Sequence, residues 1–155
     1  MKENIQQILM NAIFEVFEKM FFVFLEPTET INSPYDHISR IDFDGKGKVA
    51  GGLSIMFSQG MAEMMAQNML GCEKNEITDQ VLIDCTKEAA NMVCGNFLRK
   101  MDQDNIFTLG LPQYAAKGQE EQKGILPPTD ADNIILSFEA EEKTLQLIFY
   151  GKKHD

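Results

Sequence analysis

The chain has 155 residues, 44% of them hydrophobic and 25% charged, a balance that fits neither a disordered nor a fibrous protein. Its 14 Lys and Arg against 24 Asp and Glu leave a net charge of −10 and a pI near 4.6. That surplus argues against nucleic acid or an anionic membrane surface as the main partner, since binding phosphates needs clustered Lys and Arg.

Ile5, Ile8, Ala12, Val16, Met20 and Phe24 recur at three- and four-residue steps, with further apolar residues between them. The pattern predicts one long amphipathic helix, ended by Pro27. Residues 28–37, with Asn32, Ser33 and Pro34, read as a loop. Residues 40–44 and 49–57 read as two strands around the turn Asp44-Gly45-Lys46-Gly47. Gly51 and Gly52 mark either a bulge or a close backbone approach in the second strand. A helix over residues 60–70 follows, with Met61, Met64, Met65 and Met69 as a core stripe and Gly71 as its stop. Thr78 is the N-cap expected for a third helix, from Asp79 to about Met101, burying Leu82, Cys85, Ala89, Met92 and Val93.

Phe107, Leu109 and Leu111 alternate as a strand ending at Pro112. Residues 119–132 read as a polar loop. Two alternating runs close the chain as a hairpin, Ile134-Leu136-Phe138 and Leu145-Leu147-Phe149, turning at Glu141-Glu142-Lys143. The sum is an α+β chain: one domain over residues 1–155, a mostly antiparallel sheet, and long helices packed on one face.

Cys72, Cys85 and Cys94 are too few and too scattered for a disulfide framework, and they read as reduced thiols packed like small apolar residues. With only His37 and His154 beside them, a zinc or iron site is not expected. The uninterrupted apolar run at residues 20–25 is far short of the ~20 residues of a membrane span, and no signal peptide is read at the N-terminus. The expected location is the cytoplasm.

The third helix holds the candidate site. Asp84, Glu88, Asn91 and Gly95 stand at i, i+4, i+7 and i+11, forming one stripe away from the buried face. A glycine inside a helix costs about 1 kcal/mol, so Gly95 calls for a packing or access reason. Removing its side chain would let another molecule come close to the helix.

The run Asp84-x-x-x-Glu88-x-x-Asn91-x-x-x-Gly95-Asn96 resembles the Glu-x-x-Asn motif, with trailing Gly-Asn, of the CheC/CheX/FliY phosphatases of bacterial chemotaxis. The strand at residues 51–57, followed by a helix and Leu70-Gly71, looks like the segment preceding that motif. Thr108-Leu109-Gly110-Leu111-Pro112 matches the strand after it, and the single motif is most similar to CheX. On the first helix Asn11, Glu15, Glu18 and Phe22 repeat the spacing. There Glu18 stands in place of Asn and Phe22 in place of Gly, so that helix reads as structural, leaving one site.

The resemblance implies a CheC/CheX-like fold and a phosphatase acting on the aspartyl phosphate of a CheY-type response regulator. Glu88 and Asn91 would be its catalytic pair, with Asp84 and Gly95 helping the partner dock. Asn91 would orient the attacking water, and Glu88 would pair with the regulator's active-site Lys. Asn96 reads as a structural hydrogen-bonding residue. No cofactor is expected on this chain; Mg²⁺ would sit on the regulator. A homodimer through sheet edges is implied, with the strand at residues 107–111 and the C-terminal hairpin as candidate edges. The alternative is a module that binds a response regulator or flagellar-switch component without turnover.

Overall fold

Alternation along the strands sorts the side chains onto two faces of one sheet. The computed structural model describes residues 2–29, 34–45, 49–104, 106–129 and 132–153. In chain order these form α1 (Lys2–Met20), β1 (Glu26–Thr28), β2 (His37–Asp44), β3 (Val49–Phe57), α2 (Gln59–Leu70), a 3-10 turn (Lys74–Glu76), α3 (Asp79–Met101), β4 (Thr108–Leu109), β5 (Gln113–Ala116), α4 (Glu120–Lys123), β6 (Ile134–Ala140) and β7 (Lys143–Lys153). The strands join in the order β1-β6-β7-β3-β2-β4, and β5 also pairs with β2. Every pairing is antiparallel, so the α+β expectation holds.

Ile41 and Phe43 of β2, Leu53 and Ile55 of β3, and Leu147 and Phe149 of β7 occupy alternate positions and share one core with the helices. Leu9, Ile13 and Phe17 of α1, Met61 and Met65 of α2, and Ala89 and Val93 of α3 close over them. The methionine stripe is therefore core. Full burial of each large apolar side chain contributes roughly 1.5–3 kcal/mol.

Thr78 and Gly71 act as the sequence predicts, and Ser58 adds a cap beyond those expected from the sequence. Thr78 Oγ1 accepts from the Val81 N–H at 3.2 Å, and Ser58 Oγ accepts from the Met61 N–H at 3.2 Å. Gly71 ends α2 in the left-handed region at φ +64°. Gly51 and Gly52 mark a close approach and not a bulge, because pairing with β2 and β7 runs through both. A Cβ on Gly51 would stand 2.1 Å from the Tyr150 carbonyl oxygen, and one on Gly52 would stand 2.5 Å from the Tyr150 ring.

Several expectations need correction. α1 stops at Met20 instead of running to Pro27, because Phe22 adopts φ +53° and the Val23 N–H turns back to the Phe17 carbonyl at 2.9 Å. The predicted loop at residues 28–37 begins inside β1 and ends at the first residue of β2, which starts at His37 and not at residue 40; residues 30–33 lie outside the described residues. The strand predicted through Phe107 and Leu111 shrinks to the two residues of β4, and β5 is an addition to the predicted elements. In the C-terminal hairpin β7 is paired with β3, while β1 covers β6 only at residues 137–139, so part of that candidate edge stays open. Residues 46–48 of the first turn and His154 lie outside the described residues.

The sheet's second face is partly sealed. Ile38 is out of phase with Ile41 and Phe43, so it points away from the helices, and it forms a small buried cluster with Ala115 and Ile125. The segment read as a polar loop thus supplies a lid residue, Ile125, just after α4. Tyr35 donates to Glu120 Oε2 at 2.5 Å, and Arg40 Nη1 donates to the Leu126 carbonyl at 3.0 Å, tying that segment down. On the helix side, His37 Nδ1 lies 2.5 Å from the Tyr114 hydroxyl and its Nε2 2.6 Å from Gln59 Oε1, linking β2 to β5 and α2.

Candidate functional site

The back of α3 is anchored in the core by Leu82, Cys85, Ala89, Ala90, Val93, Cys94, Phe97 and Leu98. Small residues dominate its middle turns, which holds the backbone close against its neighbours. The opposite side presents the predicted stripe. Asp84 and Glu88 are exposed, and Asn91 and Gly95 are half-buried. Glu88 and Asn91 lie ~4.5 Å apart along the helix axis, on adjacent turns.

Their bonding differs. Gln80 Nε2 donates to Asp84 Oδ1 at 2.9 Å, so Asp84 is already engaged. Among the described residues, neither the Glu88 carboxylate nor the Asn91 carboxamide has a hydrogen-bond or ion-pair partner. Both are therefore free to meet a group brought by another molecule. A Cβ on Gly95 would meet only Arg99 Nη1 at 3.9 Å and Leu109 Cδ1 at 4.0 Å, so the glycine answers no internal crowding. It opens instead onto a groove lined by Leu98, Arg99, Phe107 and Leu109.

Asn96 departs from its expected role: its Oδ1 is buried, with no hydrogen-bond partner among the described residues. The two cysteines on α3 are poor nucleophiles. Burial, then the Glu88 carboxylate, pushes the Cys85 thiol up to about 12; burial, then Asp42, pushes Cys94 up to about 12. No group of three or more His, Cys, Asp or Glu among the described residues is placed to hold a metal ion. No helix among them is long and apolar enough to cross a membrane.

The first helix offers no equivalent surface. Glu15 is bound by Lys100 at 2.8 Å and Lys19 at 3.2 Å, and these two ammonium groups hold its carboxyl down to about 2. Phe22 lies beyond the end of α1, so the stripe of Asn11, Glu15 and Glu18 has no fourth member on that helix. Sequence reasoning overlooked Arg99. Its spacing of four from Gly95 was the available signal, but the groove beside it exists only once β4 folds alongside α3.

The chain resembles several solved chemotaxis proteins along nearly its whole length. Chemotaxis protein CheX from Vibrio vulnificus matches with a TM-score of 0.78 at 21% identity, covering 98% of this chain and 99% of that one. A chemotactic CheC-like protein from Shewanella oneidensis matches with a TM-score of 0.74 at 23% identity, covering 98% and 100%. The CheX–CheY–BeF3–Mg²⁺ complex from Borrelia burgdorferi matches with a TM-score of 0.73 at 16% identity, covering 96% and 97%. No curated protein matches significantly. At these identities the structural likeness establishes the fold, while a family model, described as chemotaxis phosphatase CheX, matches residues 38–139. That match spans most of the chain, including all of α3, and on its strength the protein belongs to the CheX family.

Proposed function

We propose that this chain hydrolyses the aspartyl phosphate of a CheY-type response regulator in chemotaxis signalling, using Asn91 to align the attacking water. The observation that most supports this is the pair Glu88 and Asn91: two unpartnered polar side chains, on adjacent turns of a helix whose back is anchored in the core. Membership of the CheX family and the likeness to the Borrelia complex, in which a CheX is bound to a CheY, support the same reading.

The reaction breaks the bond between phosphorus and the aspartyl oxygen. Water adds to phosphorus, and the products are a free carboxylate and inorganic phosphate. Phosphoryl transfer depends on in-line positioning and on stabilising charge at the equatorial oxygens. The regulator brings the phosphorylated Asp, its Lys and Mg²⁺. The Asn91 carboxamide oxygen accepts a hydrogen bond from water and so fixes the direction of its lone pair. An amide does this without adding a negative charge beside the phosphoryl group. Glu88 would be repelled there, so it takes the regulator's Lys and sets the docking register. Asp84 extends the acidic end of the surface, and Gly95 leaves room at the other.

The test is phosphate release from phosphorylated regulator. Asn91→Ala is expected to lower acceleration by about 100-fold while leaving affinity for the regulator nearly unchanged. Glu88→Ala is expected to weaken both. Undiminished acceleration by Asn91→Ala would overturn the mechanism.

A further inference from the structure

Arg99 stands four residues beyond Gly95 and extends the Asp84, Glu88, Asn91, Gly95 stripe by another turn. Its Nη1 lies 3.9 Å from the position of a Gly95 Cβ, so the guanidinium folds back over the glycine, in the direction of Asn91. The side chain is exposed and has no hydrogen-bond or ion-pair partner among the described residues. Its neighbour Lys100 contrasts with it, being held by Glu15 at 2.8 Å. Leu98, Phe107 and Leu109 give the groove an apolar floor, and Lys100, Asp102 and Gln103 complete its lining. Leu111, 89% exposed, and Ile106, 69% exposed, stand two residues to either side of β4 in sequence.

A cation in the last turn of a helix also complements the helix dipole. That role does not account for an apolar floor left open beside it. In a chain of net charge −10, a free guanidinium beside the exposed Leu109 suits a partner whose acidic groups border an apolar patch. A regulator active centre built on carboxylates and a phosphoryl group has that acidic character, and Gly95 belongs both to the stripe and to the groove wall.

We propose that Arg99 and the groove form a second docking point, taking a carboxylate of the phosphorylated regulator beside its active centre. The proposal rests on the regulator reading above. It assigns Arg99 to docking and not to the chemical step.

The experiment is a titration of beryllofluoride- and Mg²⁺-loaded regulator into the full chain and its variants, with thermal melts to confirm folding. Arg99→Glu and Leu109→Asp should each weaken binding by at least about tenfold, whereas Asn91→Ala should change it by less than about threefold. Binding by the unaltered chain should weaken with salt, and the Arg99→Gln variant should show a flatter salt dependence. In phosphate release, Arg99→Gln should raise KM and leave kcat at saturation unchanged. Affinity within about twofold for Arg99→Glu overturns the proposal. So does a changed oligomeric state at unchanged regulator affinity, which would make the groove a contact between copies. Arg99-dependent binding without any phosphate release would sink the phosphatase reading alone. Failure of the unaltered chain to bind would sink both.

Discussion

Replacing Gly95 by Ala should move stability and activity in opposite directions. The residue lies inside α3, where Ala is better than Gly by about 1 kcal/mol. The added methyl would meet nothing nearer than 3.9 Å, so no clash offsets that gain. For a chain of this size the expected rise in Tm is about 2–4 °C, measured by circular dichroism. On the proposed docking, the same methyl would enter the space that the regulator needs. Overpacking of one methylene-sized group costs roughly 1–3 kcal/mol, which lowers kcat/KM by about 5- to 150-fold. Gly95→Leu should lower it further. A falling Tm would mean that the glycine serves α3 itself, and a raised Tm with unchanged phosphate release would refute the idea that its absent side chain makes room for a partner.

Gly51→Ala should have the reverse character, destabilising the sheet by about 1–3 kcal/mol or more, since its Cβ would collide with the Tyr150 carbonyl 2.1 Å away; denaturant titration measures this, and a stable variant would contradict the close approach of β3 and β7. The Glu15–Lys100 pair predicts a pH dependence. Glu15 titrates at about 2 in the fold against 4.5 for the unperturbed group, so its contribution is complete above 4.5 and disappears as pH falls through about 2. The Tm gap between the unaltered chain and Lys100→Met should narrow across that window and in high salt, and a constant gap would show that the pair does not couple α1 to α3.

The parts legible in advance are those whose signals are local. Thr78 and Gly71 mark helix ends by their own chemistry, and the alternating runs of β3, β6 and β7 are long enough to show period two. The α3 stripe follows from helical arithmetic. The misses share a different cause. Phe22 takes a left-handed backbone that nothing in its residue type announces, and α1 ends there. β1, β4 and β5, of three, two and four residues, are too short to show a period and exist because a longer strand offers them an edge. The two-residue turn at Glu141 and Glu142 has positive φ at both positions without the usual Asn-Gly pair, yet pairing of Ala140 with Lys143 still fixes it. Arg99 was missed for the same reason as the groove: its meaning comes from β4, distant in sequence.

The alanine and cysteine backing of α3 bears on how such a surface evolves. Since Ala89, Ala90 and Cys94 wedge the helix in place from behind, the residues in front can be exchanged one at a time without disturbing its foundation. Specificity for one client over another can then drift by substitution along a fixed rail, with no need for loops to be rebuilt or hinges invented.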